Sequence, residues 1–295
     1  MTERIDRVEL RTLAIALLAS LMLWNLPQGG LLLYPFKLLA TWLHELSHGL
    51  AMIITGTGFD YVVIYRDTSG LAYASSSAGP FAAAIIAAAG YMGTPLWGAV
   101  LLVVTPSPRA ARIAMLVMAA LLVSTALTVV AIPKGDAFGP WVTGAMGAAF
   151  AVAALVLPAK WRLATAHFVA AQSCVNALLD IRVLLRPAQV VNGKITGFSD
   201  AHNMAAATLG TTETWAVWLW SILWLVWSLA VFYVALRLSG SRALANVLPF
   251  VRSRAALLGG NGRGGRRRNP ATAPDETSPT APADTAESSE SQRPA

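Results

Sequence analysis

The stretch Leu31–Thr55, LLLYPFKLLATWLHELSHGLAMIIT, has the length and apolar character of a bilayer span, yet its middle carries Lys37, His44, Glu45 and His48. A span needs about 20 mostly apolar residues. At that depth a charged side chain costs about 2.5–3.5 kcal/mol even on the lenient insertion scale, so such residues face a protein interior and mark function. Reading this segment decides both the class of protein and where its chemistry lies.

The rest of the chain agrees. Of 295 residues, 56% are hydrophobic and only 13% charged. Thr12–Phe36, Thr68–Pro108, Ile113–Pro133, Ala137–Ala159, Leu163–Leu179 and Thr214–Leu236 contain no Asp, Glu, Lys or Arg. Such runs exclude a soluble globular enzyme and an intrinsically disordered chain. Cys174 is the single cysteine, so no internal disulfide can form. The net charge of +7 comes from residues that flank apolar runs: Arg4, Arg7 and Arg11, then Arg109 and Arg112, then Lys160 and Arg162, then the series from Arg237 to Arg268. That is the pattern of cytoplasmic loops in a multi-pass protein, and it argues against a nucleic-acid partner.

The expected fold is an all-α polytopic membrane protein with about six to eight transmembrane segments. Spans are placed near Leu13–Leu26, Leu31–Thr55, Ile113–Ile132, Phe138–Leu157, Leu163–Leu185 and Trp215–Leu236. Ala78–Thr105 is either one kinked span or two short pieces, because Gly90-Tyr91-Met92-Gly93-Thr94-Pro95 interrupts it. Phe59–Ser75 reads as a short membrane-associated β-hairpin, its Tyr- and Val-rich arms flanking Arg66-Asp67-Thr68-Ser69-Gly70. The membrane domain is residues 1–252. Residues 253–295 form a tail with little apolar content beyond Gly259, expected to be disordered and cytosolic.

His44-Glu45-Leu46-Ser47-His48 fits H-E-x-x-H. On a helix the two histidines lie one turn apart on one face, where they can hold one Zn2+ ion, and Glu45 beside them can take a proton from a water acidified by the metal. A third ligand must come from elsewhere. Asp180 interrupts an apolar run, where a carboxylate requires a metal or a cation; Arg182 and Arg186 supply the rival explanation, an Asp180–Arg186 ion pair near a helix end. Asp200 is the alternative third ligand, but Ser199-Asp200 is also how a helix N-terminus is written. Asn176 stands four residues before Asp180, on its face, where it can bond the carboxylate or a substrate carbonyl. His167 is 13 residues from Asp180, about 20 Å of helix, and cannot share its ion.

These residues resemble the membrane-embedded metalloproteases of the site-2 protease class, in particular the M50B-like branch of the M50 family. The likeness rests on His44-Glu45-Leu46-Ser47-His48-Gly49, the β-rich Phe59–Ser75, Gly90-Tyr91-Met92-Gly93 and Phe198-Ser199-Asp200-Ala201. The resemblance implies a third zinc ligand from an Asp in a later membrane segment, within an Asn-containing motif ending Leu-Asp-Gly. Asn176-Ala177-Leu178-Leu179-Asp180 keeps the Asn and the Leu-Asp but has a shorter spacing and Ile181 in place of Gly.

The function so implied is zinc-dependent hydrolysis of peptide bonds in membrane-associated substrates, in a multi-pass protein of a bacterial plasma membrane with its tail in the cytoplasm. Glu45 would be the base, and His44, His48 and Asp180 the ligands. Tyr61, Val63 and Tyr65, in the Tyr61–Tyr65 strand, and the Leu71–Tyr73 strand would supply an edge on which the substrate lies extended, and Asn176 would bond a substrate carbonyl. The partners are then a membrane protein or peptide and the lipid bilayer. A non-catalytic zinc-binding scaffold or a transporter is the alternative. Glu45 discriminates between them, since hydrolysis requires an acid beside the histidines and transport does not.

Overall fold

The computed structural model describes residues 18–19, 22–130, 137–184, 190–195 and 198–259. In chain order the elements are α1 (Gly29–Ile54), β1 (Phe59–Ile64), β2 (Gly70–Ala74), α2 (Pro80–Val104), α3 (Pro108–Thr128), α4 (Phe138–Val156), α5 (Ala159–Leu184), β3 (Val190–Val191), β4 (Lys194–Ile195), α6 (Asp200–Leu209) and α7 (Thr214–Gly259). Half of the expected Leu13–Leu26 span, and the tail beyond Gly259, lie outside the described residues.

Four of the described helices are long and apolar enough to cross a membrane: α2, α3, α4 and, over Thr214–Ser239, α7. This is fewer than the six to eight expected, and the difference has a physical cause. The helices α1 and α5 have 26 residues each, about 39 Å at 1.5 Å per residue, so length is not what they lack. Their polar residues lower the hydropathy, and those residues are turned inward: Glu45, Ser47 and His48 on α1, and Gln172, Ser173 and Asn176 on α5, are all buried. A helix enclosed by other helices is not selected for solubility in lipid. The outer helices show the opposite pattern, with Leu127 and Trp141 presenting about four-fifths of their surface outward (81% and 77%). Apolar exposure on that scale fits a lipid environment.

The main core gathers around α1. Leu38, Leu39, Trp42 and Leu43 pack with Leu101 and Leu102 of α2, Met118 and Leu122 of α3, and Val169 and Ala170 of α5. Trp42 is buried and its Nε1 donates to Thr125 Oγ1 at 2.9 Å. Asn176 Nδ2 donates to the Phe36 carbonyl at 3.2 Å and so ties α5 to α1. His167 is a packed core residue, its Nε2 3.1 Å from the Thr105 carbonyl oxygen.

The run left open between one span and two is the single helix α2, with Pro95 inside it. Its glycines allow α1 to approach: a Cβ on Gly93 would lie 2.3 Å from Ser47 Oγ. Small residues serve this purpose in membrane helix pairs.

The expected hairpin is present as β1 and β2, antiparallel, with Tyr61 opposite Tyr73 and Val63 opposite Leu71. Its loop leaves Thr68 at φ +68°, a conformation a threonine adopts only when held. Helix α1 holds it, through Thr41 Oγ1 donating to the Thr68 carbonyl at 2.6 Å and Tyr34 OH to the Arg66 carbonyl at 2.8 Å. A second, two-stranded piece, β3–β4, was not foreseen. Its turn is Asn192-Gly193, both with positive φ, a pairing that signals a tight hairpin in sequence.

Candidate metal centre

Helix α1 presents His44 and His48 one turn apart, with their Nε2 atoms 3.1 Å from each other. His48 Nδ1 lies 2.6 Å from the Ile86 carbonyl oxygen and donates to it, which fixes the tautomer and leaves a lone pair on Nε2. The third member is Asp200. Its Oδ2 stands 3.1 Å from His44 Nε2 and 3.3 Å from His48 Nε2.

Asp200 arrives there because Ser199 caps α6, with His202 Nδ1 bonded to Ser199 Oγ at 2.8 Å. Ala201 and Met204 then bury against Ala87 and Tyr91 of α2. Three lone-pair atoms facing one another in a buried site repel unless a cation or protons lie between them. Their separations of 3.1, 3.1 and 3.3 Å suit donors about 2.0–2.2 Å from one tetrahedral ion, for which the edge is about 3.3 Å. The residues therefore fit zinc.

Around this trio the packing leaves little freedom. A Cβ on Gly90 would lie 2.4 Å from His44 Nε2 and 2.5 Å from His48 Nε2, so only glycine lets α2 reach the histidines. Glu45, buried beside them, accepts a hydrogen bond from the Ala72 amide of β2. A cavity of about 330 Å3 opens over His44 and Glu45, walled by Thr41, Tyr91, Asn176, Asp180 and the hairpin tip, and reaching Trp24 and Lys37. Lys37 Nζ sits 4.1 Å above the Trp24 ring.

The peptidase M50B-like family model matches residues 13–235. The chain belongs to this family. No curated protein and no solved structure gives a significant match to it. With its apolar helices, membership makes this M50B-like chain a membrane-embedded, multi-pass protein.

The expected site residues sort as follows. His44, Glu45 and His48 come together as the spacing required. Asp200 lies with the histidines, whereas Asp180 lines the cavity without joining the group. Asp180 makes no hydrogen bond or ion pair among the described residues, and its rival partner Arg186 lies outside them. Asn176 lines the cavity, but its amide is engaged by α1.

Tyr61, Val63 and Tyr65 do not line the cavity. Val63 is buried, Tyr61 stacks on Tyr73 at 4.4 Å, and the outer edge of β1 is taken by the loop after α3, since the Val62 amide donates to the Val129 carbonyl at 2.8 Å. The edge nearest Glu45 belongs to β2. Gly90 stands in the Gly90-Tyr91-Met92-Gly93 motif but had no role assigned from sequence, and the Ala72 amide had no sequence signal.

Gly90→Ala tests the fit. Crowding both imidazoles should weaken zinc binding by about 10–100-fold, the range typical when a ligand's supporting contact is lost. Zinc titration of the folded, detergent-purified variant reads this, and an unchanged affinity would show that α2 does not set the histidine geometry.

Proposed function

We propose that this M50B-like chain is an intramembrane zinc endopeptidase that holds the metal through His44, His48 and Asp200. The observation that carries this reading is the buried Glu45 placed between the converging trio and a polar-walled cavity. Zinc bound there would acidify a water and polarise a scissile carbonyl. Glu45 accepts the proton of the attacking water and returns it to the departing amine. The Ala72 amide keeps its carboxylate aimed.

A helical substrate must unwind first, because its carbonyls are already bonded within the helix. Strand β2 offers a partner for the extended form. In an antiparallel pair the amide and carbonyl of one residue point the same way, and Val62 turns its amide away from β2 toward Val129. Its opposite residue Ala72, and Gly70 two positions earlier, therefore turn theirs outward from the hairpin, toward the Glu45 side. The expected partner is a membrane protein or peptide that adds along this edge.

On the same reading α1 and α5 also cross the bilayer, giving six spans with α2, α3, α4 and α7. If α3, α4, α5 and α7 each cross once, Arg109 and Arg112, Lys160 and Arg162, and Arg237 share one face, which the positive-inside rule makes cytoplasmic. On this reading the tail is cytoplasmic and the membrane is a bacterial plasma membrane.

The test is cleavage of a membrane-spanning peptide by the full chain in nanodiscs. Removal of zinc with a chelator should abolish cleavage, and stoichiometric Zn2+ should restore it. Zinc bound at the site with no cleavage of any membrane peptide would favour the scaffold.

A further inference from the structure

Tyr91 lines the cavity beside His44 and Glu45, and its ring is tightly fixed. Its ring stands edge-on to His44, with centroids 4.8 Å apart and planes at 89°, and stacks on Trp224 of α7 at 5.3 Å and 4°. The side chain is 8% exposed. Packed from two sides, the ring has no freedom to swing. Its hydroxyl nevertheless makes no hydrogen bond among the described residues, and it lies within electrostatic reach of Asp200, Asp180 and Glu45, one carboxylate from each of three helices. A buried tyrosine hydroxyl normally finds a partner. Tyr91 lines the cavity together with His44, Glu45 and Asp180.

We propose that Tyr91 is a catalytic residue, its hydroxyl donating a hydrogen bond to the scissile carbonyl oxygen as negative charge develops on it. A phenol carries one O–H to give at neutral pH, and a donor fixed in advance, where water is excluded, stabilises a developing oxyanion without reorganising. Water adds to the carbonyl carbon, Glu45 takes its proton, and the carbonyl π electrons move to the oxygen that Tyr91 faces. When the tetrahedral species collapses, the C–N bond breaks, the nitrogen takes the proton from Glu45, and the Tyr91 hydrogen bond relaxes. Tyr91 keeps its proton throughout. The assignment rests on the endopeptidase reading, and the test separates the two.

Tyr91→Phe preserves the stack on Trp224 and the edge contact with His44 while removing only the hydroxyl. In nanodiscs, with a membrane-spanning peptide as substrate, it is expected to lower kcat by about 100–1000-fold, the loss typical of one oxyanion donor, with KM and zinc content unchanged. Affinity for a phosphinic peptide, which mimics the tetrahedral species, should fall by a similar factor. Binding of the uncleaved substrate to the Glu45→Gln protein should be indifferent to adding Tyr91→Phe. A kcat within threefold of wild type, a change confined to KM, or a fall in activity matched by a fall in zinc content would each overturn the assignment. Failure of the endopeptidase reading looks different: the wild-type chain would then cleave no faster than Glu45→Gln.

Discussion

Glu45→Gln is expected to lower peptide cleavage by roughly 100- to 10,000-fold, the span usual for loss of a general base, while the protein stays folded and keeps its zinc. Glutamine has the shape of glutamate, and its amide oxygen can still accept from the Ala72 amide that orients the native side chain. What it cannot do is take a proton from water. The metal ligands are untouched, because His44, His48 and Asp200 converge on one another and not on Glu45. The measurement is initial cleavage rate and zinc content of both proteins in the same nanodiscs. Equal rates would remove the peptidase assignment, whereas joint loss of rate and zinc would show that Glu45 is a structural member of the site.

The fold was legible where one physical rule governs a segment. Helices α2, α3, α4 and the first half of α7 face lipid on one side, so hydropathy locates them. The β1–β2 hairpin was legible from β-branched and aromatic arms around a polar turn. Legibility failed where two rules compete. Pro95 and the glycines of α2 suggested a break, yet packing against α1 keeps the helix continuous, with Gly93 receiving Ser47. Asn192-Gly193 carries the strongest short turn signal in the chain, but strands of two residues give too little pattern to be noticed.

The site divides in the same way. His44, Glu45 and His48 are neighbours on one helix, so sequence spacing is spatial spacing and the trio could be read directly. Asp200 is 156 residues from His44, and no local rule reports that distance. The depth argument favoured Asp180 because a carboxylate inside an apolar run needs a partner; it did not consider that a capped helix after a loop can be pressed into the membrane domain. The sequence sign read as evidence of a mere helix start, Ser199-Asp200, is correct. It also brings Asp200 to the histidines, since the cap fixes where α6 begins and Ala201 and Met204 fix where it packs.

The two aspartates therefore yield opposite expectations for the same substitution. Asp200→Asn replaces an anionic oxygen that lies 3.1 and 3.3 Å from two histidine nitrogens by a neutral amide, and zinc affinity should fall by well over the 10–100-fold seen when only a supporting contact is lost. The accompanying loss at the helix N-terminus should be no more than about 1 kcal/mol, because Ser199 still caps α6 and only the charge at the dipole end is removed. Thermal unfolding without metal separates that small effect from the large one. Asp180→Asn should leave zinc affinity within about threefold, since its carboxylate stands in the cavity wall and not in the trio. Asp180 makes no hydrogen bond or ion pair among the described residues, so losing its charge relieves a desolvation cost and the apo protein should unfold at a higher temperature. Zinc lost from Asp180→Asn and retained by Asp200→Asn would return the third ligand to α5. The contact between Asp200 and His44 would then be a hydrogen bond that holds α6 beside the centre without belonging to it.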